Sequence, residues 1–350
     1  MMSSSSTEEV LFQVKNNVGL ITLNRPKALN ALNLSMTKAI LPKLKVWENS
    51  LKFVIIEGAG EKAFCAGGDI RSITSLEKGS PNQAEFFFKE YQLNHLIGNL
   101  KIPYVALIDG ITMGGGVGLS VHAPYRVCTS KTLFAMPETG IGLIPDVGGS
   151  YFLPKLEGEL GTFLALTGHR IKGSDCLHAG IATHACNNIE AVKNDLLKAE
   201  NQSQIEEILD KHGEDFEEDD FSLDDKIPLI DECFKETSVE AIIENLNQVD
   251  DEWSKKTVKT MQRMSPISMK VSLEMVRRGH DLNLEDCLKM EYRLVRRCCE
   301  DSDFYEGVRA LLVDKDNQPK WEPKSLSEVD DAILKKYFSN LPSNEELVIQ

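Results

Sequence analysis

The chain lacks any apolar run approaching the ~20 residues needed to cross a bilayer. It is also short of positive charge. Across 350 residues, 39 Lys and Arg face 54 Asp and Glu, leaving a net charge of −15. That balance argues against nucleic acid and anionic membrane as partners, and an anionic ligand would need a local basic patch. No C-x-x-C pair occurs among the eight cysteines. Apart from adjacent Cys298 and Cys299 they are scattered, which in a chain of this length reads as reduced intracellular thiols, not a disulfide framework. His122, His169, His178, His184 and His212 show neither H-E-x-x-H nor zinc-finger spacing, so no metal is expected. There is no G-x-G-x-x-G for a dinucleotide, no G-x-x-x-x-G-K-[ST] for a nucleotide phosphate, and no G-x-S-x-G serine elbow. The opening MMSSSSTEEV has neither the apolar core of a secretory signal nor the arginines of a presequence, and the closing ELVIQ is not a peroxisomal ending.

What is present is the composition of an ordinary soluble globular protein, 42% hydrophobic and 27% charged. Short apolar runs alternate with helical patterns. Val10 to Val14 and Val18 to Leu23 read as strands turned at Asn16-Asn17, followed by helical spacing from Ala28 to Trp47. Phe53 to Ile56, Tyr104 to Ile108 and Arg126 to Thr129 read as further strands, so the first half predicts α/β layering with crossover connections. From about Tyr151 the pattern is mostly helical. Segments with partial periodicity precede an acidic stretch from Glu214 to Asp225, which reads as a solvated face. Helices are expected from Ser238 as a cap, from Ile267 to Arg278 and from Leu284 to Cys298.

Chemistry concentrates between Tyr104 and Ser150. After Asp109-Gly110, the glycines Gly114, Gly115 and Gly116 open an apolar segment that runs through Val121 and reads as a helix start. Unpaired backbone N–H groups at such a start suit a phosphate or the oxyanion of an acyl group. The same glycines also suit a helix packed closely on a sheet. Downstream stand two carboxylates, Glu138 and Asp146, among Pro137, Gly140, Gly142, Pro145 and Gly148. Each has a plainer role open to it, Asp146 as the cap of a short helix and Glu138 as first-turn charge after Pro137. Cys65 reads as a buried small residue and not as a nucleophile.

Six stretches carry a resemblance: LNRPKALNAL (23–32), KAFCAGGDIRS (62–72), GITMGGGVGLSVH (110–122), FAMPETGIGLIPDVGGSYFLPKL (134–156), KMEYRL (289–294) and DFYEGVRALLVDKDNQPKW (303–321). In this order the chain resembles the crotonase (enoyl-CoA hydratase/isomerase) superfamily, and within it a thioester-hydrolase branch. The resemblance implies an α/β fold of repeated ββα units forming two roughly perpendicular sheets, with a helical C-terminal region. It implies a disordered 1–9, a catalytic core over 10–200 and a helical region over 201–350.

By position in the motifs, Gly68 and Gly115 would supply two N–H groups to a thioester oxygen, with Gly114 beside them. Glu138 and Asp146 would be the catalytic acids, and Glu90, in KEYQLN, would lie near the substrate. Coenzyme A would lie against Arg25, Lys27, Ala28, Ala66, Gly68, Asp69 and Ile70, with Lys62 and Arg71 as further candidate cations. Hydratases of this superfamily use two glutamates, and this chain has Gly118 at the first position and Glu138 at the second. The resemblance therefore implies hydrolysis of 3-hydroxyisobutyryl-CoA or a related short β-hydroxyacyl-CoA, in valine breakdown. The alternatives are an enoyl-CoA hydratase or isomerase, or a non-catalytic acyl-CoA-binding protein. No cofactor is implied beyond the CoA of the substrate. Assembly into a homo-oligomer and a mitochondrial location follow from the resemblance alone.

Overall fold

The computed structural model describes residues 8–216 and 219–349. The expectation for the first residues therefore lies largely outside the described residues, as do Glu217 and Glu218 in the acidic stretch. The chain forms two compact units, each assembled from separate stretches. One comprises residues up to Gly68, Leu96–Phe134 and Lys172–Asp219, and the other comprises Asp69–His95, Ala135–Ile171 and the chain from Asp220 onward. No helix among the described residues is long and apolar enough to cross a membrane.

The first unit is built on a six-stranded sheet. In chain order its strands are β1 (Val10–Lys15), β2 (Val18–Leu23), β3 (Phe53–Gly58), β5 (Tyr104–Leu107), β7 (Tyr125–Cys128) and β10 (His184–Ala185), and they lie in that same order across the sheet. β1 and β2 form the expected hairpin, Lys15 opposite Val18, with Asn16 and Asn17 at φ 54° and 62°. Both turn residues are left-handed, the geometry whose twist matches the flanking strands and which Asn tolerates. β2, β3, β5, β7 and β10 are all parallel neighbours. A parallel sheet is covered on both faces, which explains why Phe53 to Ile56 and Tyr104 to Leu107 are uninterrupted buried runs. On one face Val18, Leu20, Phe53, Ile55, Val105, Leu107 and Val127 pack with Val192, Leu196, Ile205 and Leu209 of the helices Ile189–Leu196 and Gln202–Gly213.

A second sheet contains four short strands in the order β4 (Ala63–Cys65), β6 (Ile111–Met113), β8 (Leu133–Ala135) and β9 (Ile171–Lys172). The ββα repeat is visible here. β3, β5 and β7 each enter the large sheet, the next strand enters the small one, and a helical turn follows: Ile70–Thr74, Gly115–Gly118 and Glu138–Ile141. Gly68, Gly115 and Glu138 thus each follow the end of a short strand within a few residues.

Two local expectations need correction. The helix expected from Ala28 begins at Leu34, with the Asn33 side chain accepting from the Met36 N–H. Leu29 and Asn30 are left-handed, and Leu32 pairs with Gly68 in a parallel bridge, so the chain stays irregular until the cap. The helix expected through Val121 is a single turn, Gly115–Gly118. Any anion affinity there rests on individual N–H groups, because one turn accumulates little dipole.

The second unit is mainly helical. Ser238, Asp251, Ser265 and Asn283 cap Val239–Gln248, Glu252–Met261, Pro266–Gly279 and Leu284–Glu300 with their side-chain oxygens. Phe163 meets Phe234 edge-on at 5.3 Å and lies 5.6 Å from Trp253, and Leu164, Leu166, Ile230 and Ile242 of its own and the neighbouring helices are buried. All eight cysteines of the chain are buried free thiols.

Candidate active site

In the first unit three loops lie side by side, and hydrogen bonds join the first two. Leu32 N–H donates to Gly67 O at 2.8 Å, Ala66 N–H to Leu29 O at 3.0 Å, and Asn30 Nδ2 to Ala63 O at 2.9 Å. The 25–32 loop, with Arg25, Lys27 and Ala28, therefore adjoins Ala66 to Gly68. In a parallel bridge the pairing uses the groups of the neighbouring residues, so Gly68's own N–H turns away from Leu32.

The third loop approaches through glycine. A Cβ on Gly67, at φ +114°, would stand 3.5 Å from the Met113 oxygen and 4.0 Å from the Gly115 nitrogen. A Cβ on Gly116 would stand 2.1 Å from the Cys65 carbonyl oxygen, a distance no side chain survives. Gly115 opens its turn, so its N–H has no acceptor within that turn. The two amide-bearing loops are thus fixed backbone to backbone.

Arg25 is already committed in part: its Nε lies 3.2 Å from Glu9 and its Nη1 donates to Ala31 O at 2.6 Å. Lys27, Ala28, Lys62 and Arg71 are exposed. In the second unit Asp69 accepts from Ser72 N–H and caps Ile70–Thr74, a structural role for both Asp69 and Ile70.

The second unit buries acids. Glu90 is 2% exposed, Glu138 6% and Asp146 3%, and among the described residues Glu90 Oε1 and Glu138 Oε2 have no hydrogen-bond partner. Burial raises Glu90 well above the carboxylate range, and the charges of Asp146 and Glu138 raise it further. Glu138 is raised likewise, by burial and then by Asp146. Burial lifts Asp146 to about 7, against the pull of the Tyr91 hydroxyl, which donates to Oδ2 at 2.6 Å. Like charges this close in an apolar setting cannot all ionise, so the cluster holds protons that ordinary carboxylates release. Asp146 is therefore no helix cap: Gly148 stands at that position ahead of Gly149–Phe152. Glu138 does open a short turn after Pro137, as the plainer reading expected.

Sequence reasoning missed Tyr91 and Glu291. Glu291 is fully buried, and its two oxygens accept Gly148 N–H at 2.7 Å, Ser150 N–H at 2.8 Å and the Ser150 hydroxyl at 2.5 Å. It clamps the turn that presents Asp146. Burial pushes Glu291 up to about 8, opposed by those donors. Its signal was legible: Leu284, Cys287, Leu288, Leu294, Val295 and Cys298 form an apolar helical stripe that Glu291 interrupts. Among the described residues, no group of three or more His, Cys, Asp or Glu is placed to hold a metal ion.

Two glycine amides in one unit and a buried carboxyl cluster in the other are the chemistry on offer. The model of the enoyl-CoA hydratase/isomerase family matches residues 18–338. The chain belongs to that family. It is 50% identical to the mitochondrial 3-hydroxyisobutyryl-CoA hydrolase of Danio rerio, over 99% of this chain and 93% of the relative. It is 49% identical to the human enzyme of the same name, over 98% of this chain and 91% of the relative. Among solved structures, a carnitinyl-CoA dehydratase from Mycobacterium thermoresistibile superposes with TM-score 0.91 at 38% identity, covering 98% of this chain and 99% of that one. An enoyl-CoA hydratase from Rhodobacter sphaeroides 2.4.1 superposes with TM-score 0.87 at 32% identity, covering 98% and 100%. The α/β fold with two sheets and a helix-rich C-terminal part is that of this family.

Two tests follow from this packing. Gly116→Ala forces its methyl into the Cys65 carbonyl, so the loops must part; thiol-ester turnover should fall at least ~100-fold, since losing one oxyanion donor alone costs about that much. Wild-type turnover in Gly116→Ala would show that the backbone approach is immaterial. The second concerns Glu291. An acid whose folded pKa is raised adds stability that is complete below the ordinary carboxylate range and is lost as pH rises through the folded value. For Asp146 and Glu291 those values are about 7 and about 8. The melting temperature should therefore fall from roughly pH 4 upward and level off above roughly pH 8. Glu291→Gln should flatten that fall while lowering stability by about 1–3 kcal/mol, because an amide N–H₂ then faces the Gly148 N–H. A steeper fall in the variant would contradict the assignment.

Proposed function

We propose that the chain hydrolyses the thioester of 3-hydroxyisobutyryl-CoA, and of related short β-hydroxyacyl-CoAs, to the free acid and CoA. The observation that carries this reading is the buried, proton-holding cluster of Glu90, Glu138 and Asp146, with carboxyl oxygens left unpaired at Glu90 and Glu138. The names of the relatives at about half identity support the same substrate and a mitochondrial location.

The Gly68 and Gly115 amides take the charge that develops on the thioester oxygen, and Gly114 lets the backbone come close to it. Such a donor contributes roughly 2.7–4 kcal/mol to the barrier. Glu138 supplies the attack in one of two ways. As a nucleophile it adds to the carbonyl carbon, the C–S bond breaks, and water then cleaves the mixed anhydride. As a general base it takes a proton from a water that adds directly. In either case the departing thiolate receives its proton from a neighbouring acid, for which Asp146 and Glu90 are placed on this reading. Those two also orient the β-hydroxyl. Arg25, Lys27, Ala28, Ala66, Asp69 and Ile70 hold the CoA, and neither a metal nor an organic cofactor is needed.

A second reading is hydration or dehydration of an enoyl-CoA, in line with the names of the dehydratase and the hydratase whose structures this fold matches. Against it stands Gly118, where the hydratases carry their first glutamate.

Thiol release from 3-hydroxyisobutyryl-CoA, set beside loss of enoyl absorbance from crotonyl-CoA, separates the two. We expect thiol release to dominate, and Glu138→Gln to lose at least ~1,000-fold in kcat, as removal of an attacking or proton-accepting group does. Undiminished turnover in Glu138→Gln would sink the role of Glu138. The pH profile is a separate check. A base must be unprotonated, and every acid in the cluster is raised, Asp146 to about 7. kcat/KM should accordingly climb through a midpoint near or above that value, and a profile already level at roughly pH 5 would be incompatible with the cluster.

A further inference from the structure

The helix Pro81–Gly98 carries two buried primary amides, and the fold treats them in opposite ways. Gln83, wholly buried, is fully used. Its Nε2 donates to Ile73 O at 2.9 Å, its Oε1 accepts Gly79 N–H at 2.8 Å, and the Tyr305 hydroxyl lies 2.9 Å from Nε2. Asn94 is just as inaccessible at 0% exposure, yet among the described residues neither its Nδ2 nor its Oδ1 has a hydrogen-bond partner. An amide buried without partners at both ends is a costly arrangement that native proteins retain for a reason.

The placement of Asn94 supplies the reason. Residues four apart on a helix share a face, with Cβ atoms roughly 5–6 Å apart, so Asn94 lies one turn from Glu90. Burial raises Glu90, the charges of Asp146 and Glu138 raise it further, and its Oε1 is unpaired. Tyr91, beside Glu90, already spends its hydroxyl on Asp146. The open polar atoms of this helix are therefore those of Glu90 and Asn94, adjacent on one buried face.

We propose that Asn94 is a specificity-determining residue that binds the β-hydroxyl of the acyl group, together with Glu90. A hydroxyl both donates and accepts, and the pair presents both functions: Nδ2 donates to the hydroxyl oxygen, and the hydroxyl proton goes to Asn94 Oδ1 or Glu90 Oε1. Acyl groups without that hydroxyl leave the amide and the carboxyl unpaired, which is how buried polar groups reject an analogue by far more than a pocket's shape can. The inference rests on the thioester-hydrolase reading and deepens it, from a short acyl-CoA to one bearing a hydroxyl at the β carbon.

The test compares kcat/KM for thiol release from 3-hydroxyisobutyryl-CoA and isobutyryl-CoA in the wild type and in Asn94→Leu, which keeps the volume and removes both polar ends. The wild type should prefer the hydroxylated ester by about 100-fold or more, and Asn94→Leu should lose most of that preference. The loss should fall on the hydroxylated ester, with turnover of isobutyryl-CoA within roughly threefold of wild type. Equal losses on both esters would make Asn94 a structural residue and overturn the proposal, as would an unchanged ratio. Wild-type cleavage of both esters at similar rates would overturn it while leaving the hydrolase reading intact, and cleavage of neither would remove both. Should Asn94→Leu fail to fold, Asn94→Ser asks the same question, since a shortened polar group must also lower the ratio.

Discussion

Three carboxyl groups buried within reach of one another's charge are the constraint around which the second unit is built. Glu90, Glu138 and Asp146 are almost wholly inaccessible, and each carries a pKa raised first of all by burial. Taking such groups out of water is among the most unfavourable things a fold can do. The surroundings moderate it in specific ways. Tyr91 gives Asp146 a short hydrogen bond, and Glu291 fixes the Gly148 to Ser150 backbone on which the Asp146 turn depends. That clamp requires close packing as well: a Cβ on Gly279 would stand 1.9 Å from the Ser150 carbonyl oxygen, so the helix Pro266–Gly279 presses directly on the same turn. The buried apolar faces of the amphipathic helices Pro266–Gly279 and Leu284–Glu300 surround that turn.

In the first unit the corresponding constraint is steric. An amide can act as an oxyanion donor only if its loop holds it rigidly, and here rigidity comes from backbone lying against backbone. Gly116 on Cys65 admits no side chain between the loops, and Gly67, beside the Met113–Gly115 segment, sits at φ +114°, a conformation side chains rarely adopt. The ββα repeat makes this arrangement economical. Each repeat ends a short strand just before a group that the proposed mechanism uses, so one architectural rule places Gly68, Gly115 and Glu138 at like positions.

Much of this was legible in the sequence, and the failures share a cause. The β1–β2 hairpin, the buried parallel strands and the later amphipathic helices announce themselves through period and turn chemistry, which are local. The turn at Gly115–Gly118 is shorter than the helix expected through Val121, because an apolar run after glycines has the same local pattern in either case. The strands β6, β8, β9 and β10 are two to three residues long and carry no period to detect. Glu138 and Asp146 were visible as acids on irregular backbone, whereas Tyr91 and Glu291 act through contacts to residues 55 and about 140 positions away in sequence. A tertiary partner at that separation leaves no local trace except a polar residue interrupting an apolar stripe, as Glu291 does.

The raised acids also tie activity to stability with opposite signs. A carboxyl whose folded pKa lies above its unfolded value stabilises the fold while protonated and withdraws that support as it ionises. On the mechanism proposed above, attack on the thioester by Glu138 or by water that it activates needs an ionised carboxyl in the same cluster. The pH change that arms the site therefore loosens it, across the window set by Asp146 at about 7 and Glu291 at about 8. On the proposed reading, binding of a polar acyl group relieves the conflict, because its hydroxyl supplies partners to atoms that the free protein leaves unpaired. Substrate recognition and tolerance of the buried charge are then one interaction viewed from two sides, which explains why a hydrolase of so small an acyl group keeps more acids inside than its bond-breaking step alone requires.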